Sequence, residues 1–218
     1  MYYIIGDIHG YFNRLANLFK KLMTLVAERD TIIFLGDYID RGAHSYEVID
    51  FLVHVSRNKG LDTVFLKGNH EDMFLNYLCG DDPDGSFIFN GGDATIRSYV
   101  AHRGAFEVPR HHLDFFNGLR LYFEGEDFIA VHAGLNPLIE TLDAQDKYDL
   151  LWIREKFYRA KHRWEKTVIF GHTPVSYIAN AGSVYMDDER NIIGIDSGVI
   201  FGKSLTCLAW PTRKIIAG

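Results

Sequence analysis

Residues 2–5, YYII, are a short apolar run that is followed directly by GDIHG at residues 6–10. A second run, TIIFL at residues 31–35, is followed in the same way by GDYIDRG at residues 36–42. Between the two runs, apolar residues recur at steps of three and four, which predicts a helix; they are Phe12, Leu15, Phe19, Leu22 and Val26. Two short apolar strands joined by a helix predict a parallel β-α-β unit with a right-handed crossover.

The same alternation continues along the first third of the chain. We take Ser45 as the N-cap of a second helix, and we predict a third strand over Thr63–Leu66 and a third helix over Asp72–Cys79. Glycine, aspartate and proline are dense in residues 80–93, which predicts a loop. This part of the chain therefore has a β-α-β-α-β pattern.

The second half predicts further strands. Leu119–Phe123 and Phe128–Val131 are separated by acidic residues and Gly125, which predicts a hairpin, and a helix is predicted over Tyr148–Trp164. Four more apolar runs predict strands, the last three as an antiparallel set: Thr167–Phe170, Ile192–Ile195, Leu205–Trp210 and Lys214–Ala217. The predicted fold class is α/β, with mixed β-sheets packed face to face in a β-sandwich-like core flanked by helices, and with residues 1–218 as one domain.

Composition excludes several classes of protein. With 47% hydrophobic, 14% aromatic and 24% charged residues, the chain is neither disordered nor of low complexity. A formal net charge of -6 disfavours broad binding to nucleic acid or to an anionic membrane. Cys79 and Cys207 lack metal-site or redox spacing, and the first ten residues contain neither a basic segment nor a long apolar run, so we expect a cytoplasmic protein.

Polar residues cluster directly after the predicted strands. The clusters are GDIHG at 6–10, GDYIDRG at 36–42, GNHE at 68–71, HAG at 132–134 and GHTP at 171–174. In open α/β sheets, the crevice beyond the carboxyl ends of the strands is where ligands bind. Any one of these residues alone is more often a turn former or a hydrogen-bonded structural residue, but five strand ends with the same kind of residue point to a shared site.

The shared site has the chemistry of a metal centre. The strand-end residues that offer oxygen or imidazole nitrogen are Asp7, His9, Asp37, Asn69, His132 and His172. This mixed set suits divalent transition metals rather than Ca²⁺. The set is larger than one tetrahedral ion requires, and a carboxylate can bridge, so two ions about 3.5–4 Å apart are the natural arrangement.

The motifs also carry a family resemblance. GDIHG, GDYIDRG and GNHE resemble the three signature motifs of the PPP-type metallophosphoesterases, which include dinuclear-metal serine/threonine phosphoprotein phosphatases and diadenosine tetraphosphatases. HAG and GHTPV, at residues 132–134 and 171–175, resemble the remaining metal motifs in the same order. The resemblance extends from residue 4 to about residue 200 and is closest to the short prokaryotic protein phosphatases.

The resemblance implies a role for each matching residue. One metal would be held by Asp7 and His9, with Asp37 as the bridge to a second. The second metal would be held by Asn69, His132 and His172.

The same resemblance implies that His70 donates a proton to the leaving oxygen, that Asp40 orients His70, and that Arg41 binds phosphate. Arg154 is a second candidate for binding phosphate, with an exposed helix arginine as the alternative. Asp196 is expected to support the site rather than to bind metal. Asn90–Asp93, with Ser98 and Tyr99, resembles a loop of the short prokaryotic phosphatases, with an ordinary turn as the alternative.

The function that follows is a metal-dependent phosphoprotein phosphatase, which hydrolyses phosphoserine or phosphothreonine, or phosphotyrosine, by direct attack of a metal-bound hydroxide. The expected partner is a phosphorylated protein or peptide, and the expected cofactors are two divalent ions, with Mn²⁺ favoured and Fe/Zn as the alternative. A symmetrical bis(5'-nucleosyl)-tetraphosphate hydrolase is the closest alternative function. A non-catalytic phosphate-binding protein is another, and an aspartyl-phosphate mechanism at Asp7 is disfavoured by the excess of histidine ligands.

Overall fold

A computed structural model describes residues 1–179 and 182–218. The strands are β1 (Tyr2–Ile5), β2 (Thr31–Phe34), β3 (Asp62–Phe65), β4 (Tyr122–Glu124), β5 (Phe128–Val131), β6 (Thr167–Phe170), β7 (Tyr185–Asp187), β8 (Ile192–Gly194), β9 (Thr206–Trp210) and β10 (Lys214–Ala217). The α-helices are α1 (Phe12–Leu22), α2 (Ser45–Ser56), α3 (Asn69–Cys79), α4 (Asp93–Arg103), α5 (Arg110–Asn117), α6 (Lys147–Trp152), α7 (Glu155–Tyr158) and α8 (Val175–Ile178). Within the described ranges, no helix is long and apolar enough to cross a membrane.

The strands form two five-stranded mixed sheets. The first has the order β10-β9-β1-β2-β3, with β1, β2 and β3 parallel and with β9 antiparallel to both β1 and β10. The second has the order β4-β5-β6-β8-β7, with β5, β6 and β8 parallel and an antiparallel strand at each edge. The predicted hairpin is confirmed, because β4 pairs with β5 in antiparallel register.

The two sheets pack face to face. Apolar side chains from the first sheet, including Ile4, Ile33 and Val64, form one buried cluster with Ile169 and Ile193 of the second. Helices α1 and α2 contribute to a second cluster on the outer face of the first sheet, and α6 and α7 to a third on the outer face of the second. The predicted α/β class with mixed sheets packed face to face and flanked by helices is confirmed.

The predicted antiparallel set at the C-terminal end is confirmed for its last two strands, because β9 and β10 pair in antiparallel register, and it is wrong for β8. Strand β8 lies in the second sheet, parallel to β6, and its antiparallel neighbour is β7, which the sequence did not predict. Strands β9 and β10 lie in the first sheet. A short apolar run indicates a strand, but it does not show which sheet the strand joins.

Three predicted helix boundaries also need correction. The predicted helix over 148–164 is two short helices, because the backbone at Ile153 and Arg154 leaves the helical region, and no helix follows Tyr158 before β6. Ser45 is not the N-cap of α2 but its first residue. Helix α3 begins at Asn69 rather than Asp72.

The region after α3 is more helical than the sequence predicts. A short helical turn covers Ile88–Gly92 within the predicted loop, and α4 and α5 follow it unpredicted. The sequence of α4 has little helical periodicity. Both helices contact α2, and Phe115 of α5 also packs against Phe65 of β3.

The packing between the sheets predicts a clear stability difference. Ile33 is fully buried in the cluster between the sheets, whereas Ile215 on the edge strand β10 is 43% exposed. Ile33→Ala should lower the free energy of unfolding by about 2–5 kcal/mol, because it removes buried methyl groups and leaves a cavity. Ile215→Ala, the matched control, should change it by less than about 0.5 kcal/mol. Urea unfolding measures both, and equal effects would contradict the predicted position of Ile33 in the core.

Candidate metal centre

The carboxyl ends of five strands bring the predicted ligands together. Asp7 follows β1, Asp37 follows β2, Asn69 begins α3 shortly after β3, His132 follows β5 and His172 follows β6. Face-to-face packing of the two sheets places these strand ends at one edge of the sandwich. All six predicted ligands are at least 95% buried: Asp7, His9, Asp37, Asn69, His132 and His172.

The loops that carry these side chains have an uncommon backbone conformation. His9, Asp37 and His172 have φ values of 50°, 51° and 62°, in the left-handed region that residues with a Cβ rarely adopt. Strained positions of this kind cluster at functional sites, where the surrounding structure holds them in place. Here the carbonyl of Asp37 accepts the backbone N–H of His9 at 2.8 Å, which joins the first two loops.

Glu71 fixes the loop that carries Asp37. Its fully buried carboxylate accepts the backbone N–H groups of Asp37 and Tyr38, each at 2.8 Å, and that of Gly68 at 2.9 Å. Glu71 is part of the GNHE motif, but the sequence alone indicates no role for its side chain. Its signal is a glutamate at the third position of a helix, where it can close a capping box.

The first cluster contains Asn69, His132 and His172. The side-chain oxygen of Asn69 lies 3.0 Å from Nε2 of His132 and 2.9 Å from Nδ1 of His172. His132 donates its Nδ1–H to the carbonyl of Leu35 at 2.9 Å, so Nε2 of the neutral ring carries a lone pair rather than a proton. The side-chain oxygen of Asn69 and Nε2 of His132 are therefore two acceptors that face each other, and a cation bound to both would satisfy them.

The protonation states in this cluster suit metal binding. Burial lowers the pKa of His132 and of His172, which keeps both rings neutral at physiological pH. Nε2 of His172 is buried and has no hydrogen-bond partner among residues 1–179 and 182–218. Neutral imidazole is the form that binds metal, so this donor set fits an ion.

Asp37 connects this cluster to a second one. Its Oδ1 lies 3.4 Å from Nε2 of His132, and its Oδ2 lies 3.5 Å from Nε2 of His9 on the other side. His9 donates Nδ1–H to the carbonyl of Ile39 at 3.1 Å, so its Nε2 is also free of a proton and faces a carboxylate oxygen. Asp37 is thus placed to touch two ions at once.

Asp7 lies slightly apart from these contacts. Its carboxylate accepts the backbone N–H of His172 at 2.9 Å. Burial raises the pKa of Asp7, and the nearby carboxylates of Asp196 and Asp37 raise it further. A bound cation would favour the ionised carboxylate, because it would offset both the burial and the like charges.

The exposed guanidinium of Arg41 lies against His9. Its Nη1 donates to Nε2 of His9 at 3.0 Å. The same lone pair would bind a metal, so this hydrogen bond and ligation by Nε2 exclude each other. Metal binding at His9 therefore frees the Arg41 guanidinium for another acceptor.

His70 and Asp40 form a buried pair beside the metal ligands. Nδ1 of His70 lies 2.6 Å from Oδ2 of Asp40, and Nε2 of His70 lies 3.9 Å from Oδ2 of Asp37. Burial alone would lower the pKa of His70, but the carboxylates of Asp37 and Asp40 outweigh it and raise the pKa. The neighbouring carboxylates therefore favour the protonated form of His70.

Two hydroxyl side chains whose contact with Asp40 the sequence does not reveal hold this residue in place. Thr95 donates its hydroxyl to Oδ1 of Asp40 at 2.6 Å, and the backbone N–H of Asp40 donates to the hydroxyls of Thr95 at 2.9 Å and of Ser45 at 3.1 Å. Thr95 comes from the unpredicted helix α4. Because α4 is remote in sequence, only the tertiary structure reveals this contact.

The two predicted phosphate-binding arginines are exposed beside the buried ligands. The backbone N–H of Arg41 donates to the carbonyl of Gly91 at 3.1 Å, so the segment over 90–93 supports Arg41 directly. Arg154 donates to the hydroxyl of Thr173 at 3.1 Å and to the carbonyl of His172 at 3.3 Å. Arg41 lies in the loop after β2, and Arg154 lies between α6 and α7. Both arginines stay candidates for binding phosphate.

Asp196 is buried at the same edge. Its carboxylate accepts the backbone N–H of Gly198 at 2.9 Å, and burial raises its pKa to about 6. This contact is consistent with the predicted supporting role.

Comparison with known proteins shows the family. A family model described as calcineurin-like phosphoesterase matches residues 2–201. The chain belongs to the calcineurin-like phosphoesterases. It is therefore a metallophosphoesterase, a hydrolase of phosphate esters, and the resemblance seen in the sequence motifs is confirmed.

The proteins that this chain resembles have names that describe different activities. The chain is 27% identical, over all of its own length and 93% of the relative's, to the asymmetrical bis(5'-nucleosyl)-tetraphosphatase PrpE of Anoxybacillus flavithermus. Its fold matches a structure described as a candidate diadenosine tetraphosphatase, with a TM-score of 0.71 and 21% identity over all of this chain and 92% of that one. It also matches a cold-active protein-tyrosine phosphatase of a psychrophilic Shewanella species, with a TM-score of 0.64 and 18% identity over all of this chain and 77% of that one.

Because Asp37 lies between the two clusters, substituting it should lower metal occupancy in both. Asp37→Asn should lower occupancy at both metal positions, because a neutral amide bridges two cations poorly. The measurement is metal content after loading with Mn²⁺ and gel filtration. Asp188→Asn is the matched control, because the Asp188 side chain is 80% exposed. Two ions still tightly bound in Asp37→Asn would contradict the bridging assignment.

Proposed function

We propose that this phosphoesterase is a phosphomonoesterase that acts on phosphorylated proteins or peptides. The observation that carries the proposal is the buried His70–Asp40 pair, with its 2.6 Å contact and its support from Thr95. A serine or threonine alkoxide is a poor leaving group, and it leaves only if a proton reaches its oxygen in the transition state. A protonated imidazole beside the metal ligands supplies that proton.

The other residues have complementary roles in this proposal. The ions would be held by Asp7, His9, Asp37, Asn69, His132 and His172. When bound, the ions lower the pKa of coordinated water and neutralise charge on the phosphoryl group. Arg41 and Arg154 bind the equatorial phosphate oxygens, and Asp40 orients His70 and stabilises its protonated form.

The identity of the ions and the location of the protein are part of the same proposal. A set of imidazole, carboxylate and amide ligands binds Mn²⁺, Fe and Zn²⁺, and we propose Mn²⁺ for this site. Both cysteines are free thiols, which supports a reducing cytoplasm as the location.

A second candidate function has its own structural support. Tyr148 and Trp152 stack with ring centroids 6.3 Å apart and planes at 18°. The ring centroids of Trp152 and His172 lie 6.1 Å apart, with planes at 82°. Tyr148 is 68% exposed. An exposed aromatic stack beside a phosphate site can bind a nucleobase, and PrpE is named as a dinucleoside tetraphosphatase.

One substrate panel separates the two functions. Metal-free enzyme is reloaded with Mn²⁺ and assayed on a phosphoserine peptide, an aryl phosphate and diadenosine tetraphosphate. We expect the highest kcat/KM on the phosphopeptide. A higher kcat/KM on diadenosine tetraphosphate would support the second function instead. The products would then show where cleavage occurs, since the symmetrical reaction gives two ADP and the asymmetrical one gives ATP and AMP.

The proton-donor role predicts a dependence on the leaving group. His70→Asn should leave both metals bound and lower kcat about 10²–10⁴-fold on the phosphoserine peptide. The loss should be smaller on an aryl phosphate, because phenolate leaves without much help from a proton. Asp40→Asn should show the same pattern more weakly. Equal losses on both substrates, or loss of a metal ion, would contradict the role of His70.

The aromatic stack predicts a substrate-specific effect. Tyr148→Ala should raise KM for diadenosine tetraphosphate about tenfold if a base stacks on this ring, because one stacked base contributes about 1–3 kcal/mol. Tyr148→Phe keeps the ring and serves as the matched control. The phosphopeptide should be unaffected by either change. An unchanged KM for the dinucleotide in Tyr148→Ala would exclude the stack as its binding site.

A further inference from the structure

A third His/Asp cluster lies outside the residues used above. Asp50 on α2 faces His111 and His112 in the first turn of α5. Oδ1 of Asp50 lies 3.5 Å from Nε2 of His112 and 3.8 Å from Nε2 of His111. One ligand atom from each of the three residues lies within 4.8 Å of the other two.

His112 makes this cluster more than a surface ion pair. Its side chain is fully buried, and in the described part of the chain its Nε2 has no hydrogen-bond partner. The other ring nitrogen, Nδ1, lies 2.8 Å from the hydroxyl of the buried Tyr99. The contact from Nε2 to Asp50 is too long for a hydrogen bond, so a buried nitrogen aimed at a carboxylate is left unsatisfied.

We propose that Asp50, His111 and His112 form a structural zinc site that links α2 to α5. In tetrahedral Zn²⁺ sites with bonds of about 2.0–2.1 Å, neighbouring ligand atoms lie about 3.3–3.4 Å apart. The 3.5 Å contact from His112 to Asp50 is close to that value, and the 3.8 Å contact from the more exposed His111 is about 0.4 Å longer than it. Water completes the coordination, and the Tyr99 hydroxyl orients the His112 ring from its other nitrogen.

The chemistry of the cluster favours zinc over other common ions. Two imidazoles and one carboxylate suit Zn²⁺, whereas Ca²⁺ and Mg²⁺ require oxygen ligands. Burial lowers the pKa of His112 to about 4, so no proton competes with a metal near neutral pH. The exposed Asp50 carboxylate supplies negative charge, which opposes the effect of the nearby Arg103 cation on His112.

A metal ion at this site would also help to hold together the layer formed by helices α2, α4 and α5. Helices α4 and α5 both pack on α2, Tyr99 of α4 contacts His112 of α5, and α2 begins next to the loop that carries Asp40. A cation between α2 and α5 would hold this layer together by adding coordinate bonds that connect separate helices. This inference does not depend on which phosphate ester the enzyme hydrolyses.

The test counts bound zinc in three full-length variants and the unaltered protein. Metal-free protein is loaded with Zn²⁺, separated from free metal and analysed for zinc. The unaltered protein should hold about three equivalents, two at the strand ends and one at the new site. His111→Gln and Asp50→Asn should each hold about two equivalents. His162→Gln, the matched control, alters an exposed histidine elsewhere and should hold about three.

Two further measurements separate a zinc site from a general loss of fold. Asp50 and His111 are 59% and 40% exposed, so neither substitution disturbs the core. Phosphatase activity with Mn²⁺ should be retained in both variants. Zn²⁺ should raise the melting temperature less in His111→Gln than in His162→Gln, because the link between helices is lost.

The proposal fails on either of two results. One is an unaltered protein that holds only about two zinc equivalents after loading. The other is a third equivalent that persists in both His111→Gln and Asp50→Asn. Failure of the phosphatase proposal would look different, since it would alter the substrate panel and leave the zinc count unchanged.

Discussion

The placement of Asp37 between His9 and His132 is the contact on which the site depends. Each of its carboxylate oxygens lies 3.4–3.5 Å from an imidazole nitrogen that carries a lone pair. Nε2 of His9 accepts a hydrogen bond from Arg41, but Asp37 and the lone pair of His132 face each other directly, which is unfavourable in a buried environment unless a cation lies between them. Three features hold this carboxylate in position: the hydrogen bonds that Glu71 accepts, the left-handed backbone of the loops, and the hydrogen bonds between neighbouring loops. All three are expected of a preformed metal site.

The stability of this arrangement comes from elsewhere in the fold. The ligands occupy loops, and their backbone conformations and buried charges cost free energy. The apolar layer between the two sheets, together with the helices on both outer faces, supplies the burial that offsets this cost. The short strands end just where the polar motifs begin, so each strand contributes both to the core and to the position of a ligand.

The functional choice rests on what surrounds the metal ligands rather than on the ligands themselves. A dinuclear site can hydrolyse many phosphate esters, so it does not select a substrate. The His70–Asp40 pair favours a leaving group that needs a proton, and the stack of Tyr148 on Trp152 favours a base. Structural matches near 20% identity show the fold alone. The proton requirement of the leaving group and the base binding of the aromatic stack therefore need separate tests.

The sequence by itself determined the parallel strands of the first half and the α/β class, and it predicted six candidate metal ligands, because apolar runs followed by Asp, Asn or His are local patterns. It also indicated His70, Asp40 and Arg41 through their place in the same motifs. Only the tertiary structure decided which sheet β8 joins, where the helix after residue 146 breaks, and that Thr95 and Ser45 hold Asp40. It also brought Asp50 to His111 and His112. These contacts join residues that are far apart in the chain, and their geometry follows from how sheets and helices pack rather than from local sequence.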